Sequence, residues 1–124
     1  MERLANDMKI LIADDSTAMR LCIKQALLHV DETLECSNGR EAVRISARER
    51  PDWVLMDIEM PELDGLSAAR EIKAKWPEAR ILFVTAHDER RFRAAASQLG
   101  ARGYVLKEHL DEINKIVGFP SPTQ

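Results

Sequence analysis

Ile10-Leu11-Ile12-Ala13-Asp14-Asp15-Ser16 sets four apolar residues directly against two carboxylates and a hydroxyl. A short, continuous apolar run suits a strand covered on both faces by helices, and its abrupt polar end puts acidic side chains at the carboxyl edge. The pattern returns downstream. Trp53-Val54-Leu55-Met56 runs into Asp57, Ile81-Leu82-Phe83-Val84 into Thr85, and Tyr104-Val105-Leu106 into Lys107, while Leu34-Glu35-Cys36 is a shorter run after the first. Between the runs, apolar residues recur at helical spacing. Met19, Cys22, Ile23, Ala26, Leu27 and Val30 make one stripe, and Leu66, Ala69, Ile72 and Trp76 a second. Phe92, Ala95, Ala96 and Leu99 make a third, and Leu110, Ile113, Ile116 and Val117 a fourth. The helix after Asn38 rests on Ala42 and Ile45 alone, but Asn38 and Glu41 have capping-box spacing. Pro51 and Pro77 follow helices, and Gly100 stands where a left-handed helix end belongs.

This strict alternation predicts an α/β fold: a doubly wound (βα)5 sandwich of flavodoxin-like type, with a five-stranded parallel sheet in the order 2-1-3-4-5 flanked by five helices. The 124 residues suffice for one domain with its own core. Its expected parts are an N-terminal extension over 1–7, the domain over 8–118, and a C-terminal tail or start of a linker over 119–124. A net charge of -3 weighs against direct nucleic-acid binding by this segment. No apolar run reaches membrane-spanning length and residues 1–7 carry no signal-peptide core, so a cytoplasmic place without membrane contact is expected. Cys22 lies on a helical stripe and Cys36 on a strand, so both are expected to be buried free thiols.

In the predicted strand order, the first, third, fourth and fifth strands lie side by side, and their polar ends converge on one crevice. Chemistry gives those ends a common purpose. Two carboxylates about 4 Å apart repel by about 4 kcal/mol at an effective dielectric near 20. A divalent, oxygen-seeking cation removes that conflict, and Mg²⁺ suits a site with few carboxylates, several waters and a phosphate oxygen. A carboxylate beside such an ion can attack phosphorus and form an acyl phosphate. Lys107 then offers a point charge, and Thr85 a hydroxyl donor, to the new phosphoryl oxygens. Singly, each residue has a plainer use. Asp15 or Ser16 can cap a helix, Asp57 can turn the chain, Thr85 can edge a strand, and Lys107 can be a surface charge. Jointly, separate strand ends carrying the complementary set favour the chemical reading.

The motifs 10–16, Asp57-Ile58-Glu59-Met60-Pro61-Glu62-Leu63-Asp64-Gly65-Leu66, Val84-Thr85-Ala86 and Gly103-Tyr104-Val105-Leu106-Lys107 appear in this order. With them the chain resembles response-regulator receiver (CheY-like) domains of two-component systems over essentially its whole length. The resemblance implies that Asp57 accepts a phosphoryl group from the phosphohistidine of a sensor histidine kinase. It also implies that Asp15, Asp57 and the Glu59 main-chain carbonyl bind Mg²⁺, with Asp14 acting nearby through water, and that Thr85 and Tyr104 carry the conformational signal. Residues 101–107 resemble the NarL/FixJ (LuxR-type output) branch, whose receivers are usually fused to a helix-turn-helix output domain. The chain departs from the family at Glu108, where many receivers have a cis proline. A cis non-proline bond costs about 3 kcal/mol, so a trans peptide is expected there. Glu59 and His87 flank the expected path of a hydrolytic water, or are solvated loop residues.

Phosphorylation is expected to draw Thr85 inward and let Tyr104 swing from a solvent-facing to an inward rotamer. The surface of the fourth helix, last strand and last helix would change with it. That surface carries Arg90, Arg91 and Arg93, which read as a solvated face or as a pairing surface for a homodimer or an output domain. Beyond phosphoryl transfer to itself and slow autodephosphorylation, no enzymatic turnover is expected. A haloacid-dehalogenase phosphatase would place Asp-x-Asp on the first strand, and a flavodoxin-like nucleotide binder would need a Gly-rich loop there. Neither motif is present. The alternative is a receiver-like interaction module that takes no phosphate, against which the complete set of Asp15, Asp57, Thr85 and Lys107 weighs.

Overall fold

The computed structural model describes residues 8–28 and 30–118. The expected extension over 1–7 and tail over 119–124 lie outside them. Strands β1 (Lys9–Ala13), β2 (Glu32–Cys36), β3 (Trp53–Met56), β4 (Ile81–Thr85) and β5 (Gly103–Leu106) alternate with helices α1 (Thr17–Ala26), α2 (Gly39–Glu49), α3 (Gly65–Lys75), α4 (Arg90–Gln98) and α5 (Ile113–Val117). The strands form one parallel sheet in the order β2-β1-β3-β4-β5, as the alternation predicts.

Strand residues alternate between two cores, because successive side chains leave opposite faces of a sheet. Leu11, Ala13, Val54, Met56, Ile81 and Phe83 pack with Ala42, Ala69, Ile72 and Ala96 from α2, α3 and α4. Ile10, Ile12, Leu55, Leu82, Val84 and Val105 pack with Ile23 of α1 and Ile113 of α5. Truncating one such residue to alanine, Leu55 for example, costs about 2–5 kcal/mol. The central strands β3 and β4 are buried throughout, whereas the edge strand β2 buries only Cys36 fully.

Caps set the helix starts. Ser16 Oγ accepts from Met19 N at 3.1 Å, Asn38 Oδ1 from Glu41 N at 2.8 Å, and Asp64 Oδ1 from Ser67 N at 2.9 Å. Gly100 ends α4 at φ +90°, and Arg50 ends α2 in the left-handed region just before Pro51.

Two expectations need correction. Cys22 is exposed, not buried; only Cys36 is enclosed, and burial pushes its thiol up to about 11. The reason is angular: α1 turns its buried edge on Ile23, and the preceding residue stands about 100° round the helix. The stripe from Leu110 to Val117 is also not one α-helix. Lys107–Glu112 is a 3-10 segment in which His109 departs from helical geometry (φ -131°, ψ 51°), and α5 begins only at Ile113. The apolar positions still reach the sheet, with Ile113 buried and Leu110, Ile116 and Val117 packed beside it. Among the described residues no peptide bond is cis, so Lys107–Glu108 is trans as expected.

Candidate functional site

Register brings the strand ends together. Ala13 pairs with Met56, Met56 with Phe83, and Thr85 with Leu106, so the residues that follow β1, β3 and β5 emerge along one edge beside Thr85. Asp14 is 1% exposed, and its Oδ1 accepts from Ser16 N at 2.9 Å. Arg20 donates to the Asp14 carbonyl at 2.6 Å, tying α1 to the end of β1. Because Ser16 takes the cap of α1, Asp15 is left exposed at the mouth of the crevice.

Asp57 is also buried. Its main-chain N–H donates to the Ala13 carbonyl, and its Oδ1 accepts from Ile58 N at 2.8 Å. The loop behind it closes on Gly65, whose N–H donates to the Ile58 carbonyl at 2.7 Å. A Cβ at Gly65 would lie 1.8 Å from the Asp57 carbonyl oxygen, so only glycine lets α3 start this close to the acidic residue. In the same loop Glu62 holds φ +71°, a left-handed conformation uncommon for a side chain of its kind.

Lys107 reaches back from the end of β5 between two carboxylates. Its Nζ is 3.0 Å from Asp57 Oδ2, to which it donates, and 2.9 Å from Asp14 Oδ2. The second contact is ionic without hydrogen-bond alignment, so Asp14 Oδ2 stays buried with no aligned donor. Burial pushes the Asp57 carboxyl up; the Lys107 ammonium offsets this in part, Asp14 reinforces it, and a Thr85 hydrogen bond opposes it weakly. For Lys107, burial works to lower the pKa, but Asp14 and Asp57 outweigh it and the net direction is up. Ligand oxygens of Asp14, Asp15 and Asp57 all lie within 4.8 Å of one another. This donor set is all oxygen and includes one buried atom without an aligned partner, which fits a small hard cation such as Mg²⁺.

A cleft of about 460 Å³ opens over these groups, lined by Asp15, Asp57, Glu59, Met60, His87 and Lys107 among others. Thr85 is fully buried beneath it, and its Oγ1 accepts from His87 N at 3.2 Å. Tyr104 is set back from the cleft. Its ring is half-buried, its hydroxyl donates to the His87 carbonyl at 2.6 Å, and the Arg93 guanidinium lies 4.6 Å from the ring centroid. The side chain is thus engaged rather than free in solvent. Arg93 also pairs with Asp88 at 2.6 Å, so the basic cluster at the start of α4 is partly neutralised. Glu59 lines the cleft, but its carboxylate turns to His87, with Oε1 3.1 Å from Nε2. That hydrogen bond raises the His87 pKa.

A family model for the response regulator receiver domain matches residues 10–117. The chain belongs to that family. This receiver domain is 38% identical to the chemotaxis protein CheY of Bacillus subtilis over 114 residues, covering 86% of the chain and 95% of that protein. It is 40% identical to the regulatory protein AtoC of Escherichia coli, covering 88% of the chain but 24% of that protein. Among solved structures, a LuxR-family two-component response regulator from Aurantimonas sp. superposes with a TM-score of 0.80 at 29% identity, over 90% of the receiver and 85% of that chain. A LuxR-family DNA-binding response regulator from Staphylococcus aureus gives 0.77 at 28% identity, over 90% and 99%. The receiver thus spans nearly the whole of one relative and about a quarter of another. No helix among its described residues is long and apolar enough to cross a membrane.

The structure gathers Asp14, Asp15, Asp57, Thr85 and Lys107 at one edge and leaves Tyr104 one residue removed, joined through His87. Sequence reasoning missed the close approach at Gly65. The signal was there in Asp64-Gly65, a cap followed by the smallest residue.

Proposed function

We propose that this receiver takes a phosphoryl group onto Asp57 from the phosphohistidine of a sensor histidine kinase. An Asp57 carboxylate oxygen attacks phosphorus, the phosphorus–nitrogen bond breaks, and its electron pair stays with the donor imidazole. The observation that supports this is a buried Asp57 with its Oδ2 3.0 Å from the Lys107 ammonium, beside Asp14 and Asp15 at the floor of an open cleft. Lys107 is placed to take up phosphoryl charge as it transfers, and the Thr85 hydroxyl to donate to a phosphoryl oxygen. Asp14, Asp15, Asp57 and the Glu59 carbonyl would hold Mg²⁺. Bound there, the ion supplies positive charge against the carboxylates and the incoming phosphate. The domain is a signalling module with no turnover of its own beyond this transfer and its slow hydrolysis. Its output is a change at the surface of α4, β5 and α5, read by a second copy or by an output domain such as a helix-turn-helix.

Intact-mass measurement with acetyl phosphate and Mg²⁺ tests the acceptor. One base-labile phosphoryl group should appear on the parent and none on Asp57→Asn. Equal gain by the two proteins would place the chemistry elsewhere. No gain by either would leave a receiver-like interaction module.

A further inference from the structure

The loop from Ile58 to Asp64 is pinned at both ends. At its start Ile58 is buried, and its N–H donates to Asp57 Oδ1 at 2.8 Å. At its end Asp64 caps α3 through Ser67 N, and Gly65 N closes on the Ile58 carbonyl at 2.7 Å. Between these points lies a strained turn. Leu63 N donates to the Pro61 carbonyl at 2.7 Å across Glu62, whose φ is +71°, and this is the rare form of γ-turn. Such a conformation persists only where its surroundings over-determine it.

Here the start of α2 supplies those surroundings. Gly39 N donates to the Pro61 carbonyl at 3.4 Å. A Cβ on Gly39 would lie 1.9 Å from the Leu63 carbonyl oxygen and 2.7 Å from its carbon, so only a residue without a side chain lets the helix come this close. Of the two sides, α2 is the fixed one. The Asn38 side chain caps it through Glu41 N at 2.8 Å, the Asn38 carbonyl accepts from Ala42 N, and both Gly39 and Ala42 are buried. Pro61 and Glu62, by contrast, are exposed. A side chain at position 39 would therefore move the loop and not the helix.

We propose that Gly39 is a positioning residue for the metal site. It sets the γ-turn at 61–63 and, through it, the place of Glu59, two residues upstream on the lining of the cleft. The inference rests on the reading that the Glu59 carbonyl holds Mg²⁺. That ion demands near-octahedral oxygen geometry and tolerates little displacement of a ligand. Asp57 stands outside the stretch that moves, since Ile58 N and Lys107 hold its carboxylate. A change at Gly39 should thus weaken the ion's site and leave the acceptor in place.

Amide ¹H–¹⁵N spectra of the parent, Gly39→Ala and Val43→Ala, each titrated with MgCl₂, test this. Val43 lines the groove between α2 and α3 with Ile72 and Trp76, so its truncation loosens the same helix without touching the loop. Without metal, Gly39→Ala should shift amides most over 59–64. Its Kd for Mg²⁺ should rise about 10-fold or more, as when a group that orients a ligand is lost, while Val43→Ala keeps the parent's value. With acetyl phosphate, Gly39→Ala should need more Mg²⁺ for half its maximal rate yet reach the parent's rate at saturation. If Gly39→Ala does not fold in buffer, trimethylamine N-oxide is added to all three proteins, since it favours the compact state. An unchanged Kd in folded Gly39→Ala, an equal rise in Val43→Ala, or metal-free shifts confined to α2 would overturn the positioning role. Absence of any Mg²⁺ response in the parent would instead overturn the metal reading, while the metal-free spectra still decide whether Gly39 sets the loop.

Discussion

Replacing Lys107 with methionine keeps most of the stem volume and removes one charge from between two buried carboxylates. The ammonium lies 2.9 Å from Asp14 Oδ2 and 3.0 Å from Asp57 Oδ2, and each attraction is about 5.5 kcal/mol at an effective dielectric of 20. Withdrawing the lysine from water offsets much of that, so the net loss on removing one partner is about 3–5 kcal/mol. The carboxylates left behind add their own conflict. Two charges at the 4.8 Å limit of the cluster repel by about 3.5 kcal/mol at the same dielectric. The variant should therefore lose about 3–5 kcal/mol at neutral pH without divalent cation, yet remain folded, because a domain of this kind holds about 5–15 kcal/mol.

The sign of the pH dependence separates charge from packing. Asp57 already has a raised pKa in the fold, so its contribution is most favourable below the ordinary carboxyl range and declines as pH rises through its folded value. Removing the cation lifts that value further and steepens the decline. Lys107 works in the same direction in a higher window: its raised pKa supports the parent up to the alkaline range and is lost as pH rises through the folded lysine value. Urea denaturation of parent and Lys107→Met, at neutral pH and again within the carboxyl range, with and without Mg²⁺, gives the comparison. The deficit should shrink on acidification and shrink again with Mg²⁺. A deficit that is the same under all four conditions would mean that lost packing of the stem explains it, and the electrostatic account would fall.

Asp15→Ala should remove most of the thermal stabilisation that Mg²⁺ gives the parent, because Asp15 is the exposed member of the cluster; matching melting shifts for the two proteins would discount it as a ligand. Gly65→Ala drives a methyl against the Asp57 carbonyl at 1.8 Å and should cost about 3 kcal/mol or more in urea denaturation, whereas a loss below about 1 kcal/mol would contradict the close approach. Asp57→Asn removes a charge whose burial the fold opposes, so it should be more stable than the parent at neutral pH, with the difference vanishing in acid. Equal melting temperatures across that range would show the Lys107 contact already cancels the burial.

The chemistry of the edge is legible in the sequence because a strand's last apolar residue fixes where the next side chain emerges. Asp14 follows Ala13, Asp57 follows Met56, and Lys107 follows Leu106, while Thr85 is itself the last residue of β4. Parallel pairing then aligns those positions across neighbouring strands, whatever the loops do. Helical stripes are legible for the same reason, since periodicity names a face. They cannot resolve its edge, which is why Cys22, one residue before buried Ile23, turns out exposed. Nor do they distinguish an α-helix from tighter 3-10 turns when apolar spacings of three residues serve both, as between Leu110 and Ile113.

Contacts between loops carry no period at all, and there the sequence is silent. Arg90, Arg91 and Arg93 read as one basic cluster, yet the fold treats Arg93 separately. It pairs with Asp88 at 2.6 Å and stacks over Tyr104, while Tyr104 bonds to the carbonyl of His87. Arg93 therefore belongs to the surroundings of the tyrosine and is not a free charge awaiting a partner. A rearrangement that frees Tyr104 would also release Arg93 from the ring and change the charge shown at the start of α4. Thr85 at the strand ends and the start of α4 are in this way joined, through His87, Tyr104 and Arg93, by contacts whose spacing in the sequence gives no hint of the connection.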